Sequence, residues 1–159
     1  MSLIMTLSDK NLSAEDIKNA EEELSLKLPE PYKFFLLQNN GGVPEKCAID
    51  FQAKKLRLQG DDIKFFFSIG GRVTNDIKYK NKPMNNLLPQ GLIYIANTHS
   101  SNFIILSTRE DSYGQIFYKD HEFEDQTPFD PINNKLPESI VKIADDFDEF
   151  IAKLYDPDE

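Results

Sequence analysis

The stretch from Leu28 to Gly42 constrains the fold more than any other, because it places an apolar helix between two stop signals. Pro29 and Pro31 suit a first helical turn, where a missing N–H costs nothing, and Gly41-Gly42 supplies the left-handed residue on which helices commonly end. Tyr32, Phe35, Leu36 and Asn39 share one face by i, i+3, i+4, i+7 spacing, and Phe34 and Leu37 make the opposite side apolar as well. A helix apolar nearly all round predicts a central position. It holds neither a nucleophile motif nor a metal-ligand set, so it bears on fold and not on chemistry.

On either side of this stretch the hydrophobic period differs. Upstream, Ser13-Ala14-Glu15-Asp16 reads as a capping box opening a helix with Ile17, Ala20, Leu24 and Leu28 on its apolar face, and Glu21-Glu22-Glu23 reads as a solvated face. Downstream the period falls to 2. Ala48 to Phe51 is a candidate strand, Lys54 to Leu58 alternates weakly, and Ile63, Phe65, Phe67 and Ile69 share one strand face, with Asp61-Asp62 read as the turn before them. Gly70-Gly71-Arg72 lacks the spacing of a phosphate cradle. Residues 72–82 leave room for about two helical turns, and then Leu92 to Ala96, Phe103 to Leu106 and Gln115 to Tyr118 form three apolar runs joined by polar turns, an antiparallel meander. An acidic loop fills 119–136, and Pro137 opens a last amphipathic helix with Ile140, Ile143, Ala144, Phe147, Phe150, Ile151 and Leu154 on its stripe. The fold class expected is α+β: a largely antiparallel sheet packed against an N-terminal helix pair and a C-terminal helix. One domain spans 13–155, between a flexible segment at 1–12 and an acidic tail at 156–159.

Charge and cysteine content narrow the function. The single Cys47 leaves no internal disulfide, and the chain has neither an 18-residue apolar run nor a signal-peptide core, so a cytoplasmic protein without membrane association is expected. The net charge of −9 is unevenly placed: residues 1–106 hold 13 Lys and Arg against 12 Asp and Glu, whereas 107–159 hold 5 against 15. Such a field repels phosphate backbones and attracts cationic partners, which makes nucleic acid an unsuitable ligand.

The ordered motifs resemble those of the SUKH superfamily, which includes the Smi/Knr cell-wall-assembly regulators and many bacterial toxin-immunity proteins. Leu28-Pro29, Tyr32, Phe35-Leu36 and Asn40-Gly41-Gly42 are similar to the family's identifying pattern. Phe66 to Ile69, Leu88 to Ala96, Gln115 to Tyr118, Asp120-His121-Glu122 and Phe147 to Ile151 follow in family order, so the resemblance runs from about Ser13 to Leu154. Two departures stand out: Asn97 to Asn102 lacks the usual Gly-rich turn, and Lys119 stands where Trp often precedes Asp-His-Glu.

Asp120-His121-Glu122 is the one cluster that could carry catalysis or a metal. On an extended segment residues 120 and 122 share a face while His121 points away, which favours a structural or binding role. The carboxylates at 145, 146, 148 and 149 spread over a wide helical arc without an EF-hand turn. No catalytic, metal or cofactor site is therefore expected. Asp120, His121, Glu122, Glu124, Asp125, Asp145 and Glu149 are the candidate partner-binding residues, and the resemblance implies an immunity protein that neutralises a basic, nuclease-type toxin by stoichiometric binding. A regulatory scaffold of the cell-wall-regulator kind is the alternative, followed by a small-ligand or enzymatic domain using His121.

Overall fold

A computed structural model of the protein describes residues 3–53, 56, 58–122 and 136–158. The order of elements is β1 (Met5–Thr6), α1 (Ala14–Leu24), α2 (Glu30–Gln38), β2 (Val43–Pro44), β3 (Ala48–Ala53), β4 (Leu58–Phe66), α3 (Ile77–Lys80), β5 (Leu92–Thr98), β6 (Phe103–Ser107), β7 (Ile116–Lys119), β8 (Ile140–Ala144) and α4 (Phe147–Lys153). Strands β3 to β8 pair antiparallel in chain order as a six-stranded meander, and β1 pairs with β2 in a separate ribbon. The α+β class read from the sequence is the class observed.

Helix α1 starts where the capping box predicts. Ser13 Oγ accepts the Asp16 N–H at 3.1 Å, and Asp16 Oδ2 accepts the Ser13 N–H at 2.8 Å. The acidic triplet is not wholly solvated, however: Glu21 is buried, and its carboxylate accepts the Leu28 N–H at 2.7 Å, tying the end of α1 to the start of α2. Helix α2 is less central than its composition predicts. Tyr32, Phe35 and Leu36 are buried, while Phe34 and Leu37 face solvent, Phe34 at 62% exposure. The glycines after it serve close approach and not helix termination. The helix ends with Asn39 donating to Phe35 O, and a Cβ on Gly41, whose φ is +71°, would stand 2.8 Å from Phe66 O. Gly42 and Phe66 then exchange backbone hydrogen bonds.

Alternation in β6 and β7 divides the sheet's two faces. Ile104, Leu106, Ile116 and Tyr118 join α1, α2 and α4 in the main core, whereas Ile105 and Phe117 form a smaller cluster with Leu92 and Ile140 on the other face. Both sheet edges are blunted. Tyr155 bridges β3 at Ala48, and Lys153 Nζ donates to Ile143 O at 2.9 Å on β8.

Four expectations differ from the structure. The helix expected from Pro137 is two elements. Ile140, Val141 and Ile143 are β-branched and lie in β8, which pairs with β7, and Asp146 then caps a new helix by accepting the Glu149 N–H at 2.7 Å. Asp61 and Asp62 lie inside β4, opposite Ile49 and Ala48, so they are no turn. Of the weak strand at Lys54 to Leu58, Leu58 begins β4 and Leu56 is buried; Lys54, Lys55 and Arg57 lie outside the described residues. Residues 1–12, expected as a flexible segment, include β1, and Asp9 N donates to Asn40 O at 3.0 Å.

Candidate functional site

The β5–β6 turn and the chain leaving β7 meet at one end of the sheet. Thr98 N donates to Asn102 O at 2.9 Å, and Thr98 Oγ1 accepts the Asn102 N–H at 3.1 Å, which closes the turn without the Gly common in the family. Ser101 takes up the left-handed conformation instead, with φ 64°. The turn fixes Asn102, a buried amide that joins three strands. Its Nδ2 donates to Tyr118 Oη, and Tyr118 Oη in turn donates to Asp61 Oδ2 at 2.7 Å. Its Oδ1 accepts the His121 backbone N–H at 2.8 Å and lies 2.6 Å from His121 Nδ1. Because Asn102 Oδ1 can only accept, Nδ1 of His121 carries the proton. Burial pushes the Tyr118 phenol up, and the bond to the Asp61 carboxylate adds to that shift, so the hydroxyl stays a donor.

Around this chain of hydrogen bonds the end of the sheet is acidic. Asp61 Oδ1 accepts from Ser100 Oγ at 3.1 Å and from the Asp62 N–H at 2.8 Å, and the His99 N–H donates to Asp62 O at 2.9 Å. Asp50 Oδ1 accepts from Tyr155 Oη at 2.7 Å, and that bond holds the Tyr155 phenol above its ordinary value. Asp50, Asp61, Asp62 and Tyr155 line an open cleft of about 380 Å³. Burial raises the nearby Cys47 thiol, helped by the negative charge of Asp62 and of Asp156 and Asp158. Asp120 Oδ1 accepts the Glu122 N–H at 2.9 Å, and His121 Nε2 is 3.7 Å from Glu122 Oε1. Among the described residues no three His, Cys, Asp or Glu side chains group as a metal ion would need.

Of the residues singled out in the sequence, Asp120, His121 and Glu122 share this end. Asp145 and Glu149 do not. Lys119 pairs with Ile140 and Ile116 with Ala144, so Asp145 follows the opposite end of β8. There Asp145 pairs with Lys142, and Glu149 with Lys153 at 3.1 Å. Glu124 and Asp125 lie outside the described residues. Sequence reading missed Asp50, Asp61, Asp62, Asn102 and Tyr118. The signal available was the Asp61-Asp62 pair beside an alternating strand, for which a turn at the adjacent Gly60 is the favoured reading.

The family motif does structural work well away from this end. Asn40 Nδ2 donates to Lys10 O and to Ile69 O, each at 2.8 Å, and Asn40 Oδ1 accepts the Ile69 N–H at 2.8 Å. Tyr32, Phe35 and Leu36 fill the core under α4. Leu28 and Pro29, both buried, form the junction between α1 and α2.

An antiparallel meander covered on one face by helices, with a charged, hydrogen-bonded end, defines an α+β domain of the SUKH kind. The chain belongs to the SMI1 / KNR4 family (SUKH-1), whose family model matches residues 11–153. Membership supports an immunity-protein or cell-wall-regulator type of domain acting through protein–protein interaction, and domains of this superfamily are generally non-catalytic. No curated protein matches the chain. Among the described residues no helix is long and apolar enough to cross a membrane.

Proposed function

We propose that the domain is a non-catalytic cytoplasmic immunity protein that neutralises a basic, nuclease-type toxin by stoichiometric binding, using the acidic end of the sheet. The observation that carries this reading is the gathering of Asp50, Asp61, Asp62, Asp120 and Glu122 around the Asn102–Tyr118 hydrogen bonds. Asp61 is held by Tyr118 and Ser100, Asp50 by Tyr155 and Asp120 by the Glu122 N–H, so part of the side-chain order exists before binding. Carboxylates held in this way face incoming Lys and Arg, and complementary charge raises association from about 10⁵–10⁶ toward 10⁸–10⁹ M⁻¹s⁻¹ at low salt. Fast association suits an inhibitor that must reach its toxin before the toxin reaches its substrate.

The test compares two charge-neutralised variants against the toxin captured with the wild-type chain. Asp61→Asn with Asp62→Asn, Asp120→Asn and Glu122→Gln should slow association by about tenfold or more and flatten its salt dependence, since rim charges act mainly on the on-rate. Asp145→Asn with Glu149→Gln, at the other end of β8, should leave the rate within about twofold, because exposed paired charges contribute little. Equal rates for the wild type and the first variant in stopped-flow measurements at low salt would rule the acidic end out as the docking face.

A further inference from the structure

Three to four residues along β4 from Asp62, roughly 10–13 Å at strand spacing, Phe65 and Phe66 reach a second site of different make-up. The strap Leu7–Asp9, the Gly42–Val43 segment and the stretch from Phe65 to Asn75 surround a cavity of about 160 Å³. Its rim is apolar, formed by Leu7, Val43 and Phe65, and its polar groups come from Asp9, Ser68 and Asn75. Ser68 is 2% exposed and its Oγ has no hydrogen-bond partner, although its backbone is fully engaged, with N donating to Asn75 O and O accepting from Ile77 N. A buried hydroxyl left without a partner calls for an explanation.

Two further features mark this place. Gly71 packs against two of its polar groups: a Cβ there would stand 2.3 Å from Asp9 Oδ2 and 2.8 Å from Ser68 Oγ, so the carboxylate and the hydroxyl lie together where only a glycine leaves them room. Leu7 holds the left-handed conformation, with φ 57°, and keeps its side chain 84% exposed at the rim. A branched side chain in that region is disfavoured unless the surroundings enforce it. Here the enforcement comes from Ser8 Oγ donating to Gly41 O at 2.7 Å and Asp9 N donating to Asn40 O.

We propose that this cavity is an anchoring pocket for one lysine or arginine side chain of a protein partner. The aliphatic stem lies between Leu7, Val43 and Phe65, while the cationic head ion-pairs with Asp9 and donates to Ser68 Oγ. An apolar wall with a charged acceptor beside it matches the two-part character of such side chains. The volume takes one such chain and no larger group. The site shares no lining residue with the acidic cleft and stands without it.

The test needs no toxin. The full chain, labelled with ¹⁵N, is titrated with n-butylammonium and with n-butylguanidinium, and in parallel with n-butanol as the neutral isostere. Saturable shifts of the Gly42, Ser68 and Gly71 amides are expected with the two cations, with a Kd on the order of millimolar for ligands this small. Asp9→Asn, at an exposed side chain, should weaken them at least about tenfold, as loss of a charged partner does. Gly71→Ala, whose backbone is outside the left-handed region, should abolish them by displacing the Asp9 carboxylate and crowding Ser68 Oγ. Shifts absent from these three amides, equal shifts with n-butanol, or unchanged binding in Asp9→Asn each overturn the proposal. Should Gly71→Ala lower the thermal midpoint, the Asp9→Asn comparison decides alone.

Discussion

Asn40→Ala should lower the stability of the domain by about 4 kcal/mol, because it leaves several buried backbone groups without partners at once. Asn40 is 1% exposed and serves three main-chain groups: the carbonyls of Lys10 and Ile69 and the N–H of Ile69. Each orphaned buried group costs about 1–3 kcal/mol, and the pocket is too well enclosed by Gly41 and Gly42 for a side chain elsewhere to replace the amide. For a chain of this length the loss corresponds to a fall in Tm of roughly 8–16 °C. Asn40→Asp is expected to fare no better at neutral pH, since it retains the acceptor toward Ile69 N–H but turns a carboxylate toward two carbonyls. Urea denaturation of both variants checks this; a loss below about 1 kcal/mol for Asn40→Ala would show that the side chain is not the tie between the strap, α2 and the Ile69 segment.

That tie was legible in the sequence only as a motif. Asn40-Gly41-Gly42 reads as a helix stop, yet the helix has already ended at Asn39, and the three residues instead bring the chain against Phe66 and Ile69. Local signals were read well where they were self-contained. Ser13 and Asp16 are three residues apart and cap their own helix, and the runs at 92–96, 103–106 and 115–118 are apolar within themselves and bounded by polar turns. Reading failed where a distant partner decides. Ile140, Ile143, Ala144 and Phe147 satisfy helical spacing, but β7 offers Ile140 to Ala144 a strand to pair with, and β-branching lowers the cost of accepting it. Glu21 looks like one carboxylate of a wet triplet until Leu28 N–H is placed beside it. The candidate site shows the same division. Asp120, His121 and Glu122 are neighbours in the chain and visible as one motif; Asp50, Asp61 and Asp62 come near them only through strand register and the Asn102–Tyr118 bridge, which no local pattern encodes.

The aromatic cluster under α4 yields the second large effect, and a contrast that separates packing from polarity. Phe147 lies with its ring 5.2 Å from Tyr32, 5.0 Å from Phe35, 6.0 Å from Phe150 and 6.5 Å from Phe66, centroid to centroid, so Phe147→Ala removes the ring that four others contact. Truncation of a fully buried Phe costs about 3–5 kcal/mol, since the transfer loss and the remaining cavity add. Tyr32→Phe, in contact with the same ring, should be neutral or raise stability by about 1 kcal/mol, because Tyr32 Oη is buried without a hydrogen-bond partner and its removal leaves no group unpaired. Burial alone drives the Tyr32 phenol upward, as befits a hydroxyl in a site that offers it nothing. A destabilisation by Tyr32→Phe beyond about 1 kcal/mol would mean that the hydroxyl has a partner, and the packing account of this cluster would need to change. The Phe147→Ala loss should also reach the acidic end. Phe147 seats α4, and α4 leads into Tyr155, which exchanges backbone hydrogen bonds with Ala48 and donates its hydroxyl to Asp50. Amide exchange at Ala48 and Tyr155 is therefore expected to rise in Phe147→Ala more than exchange in β6, whose bonds to β5 and β7 do not depend on that helix.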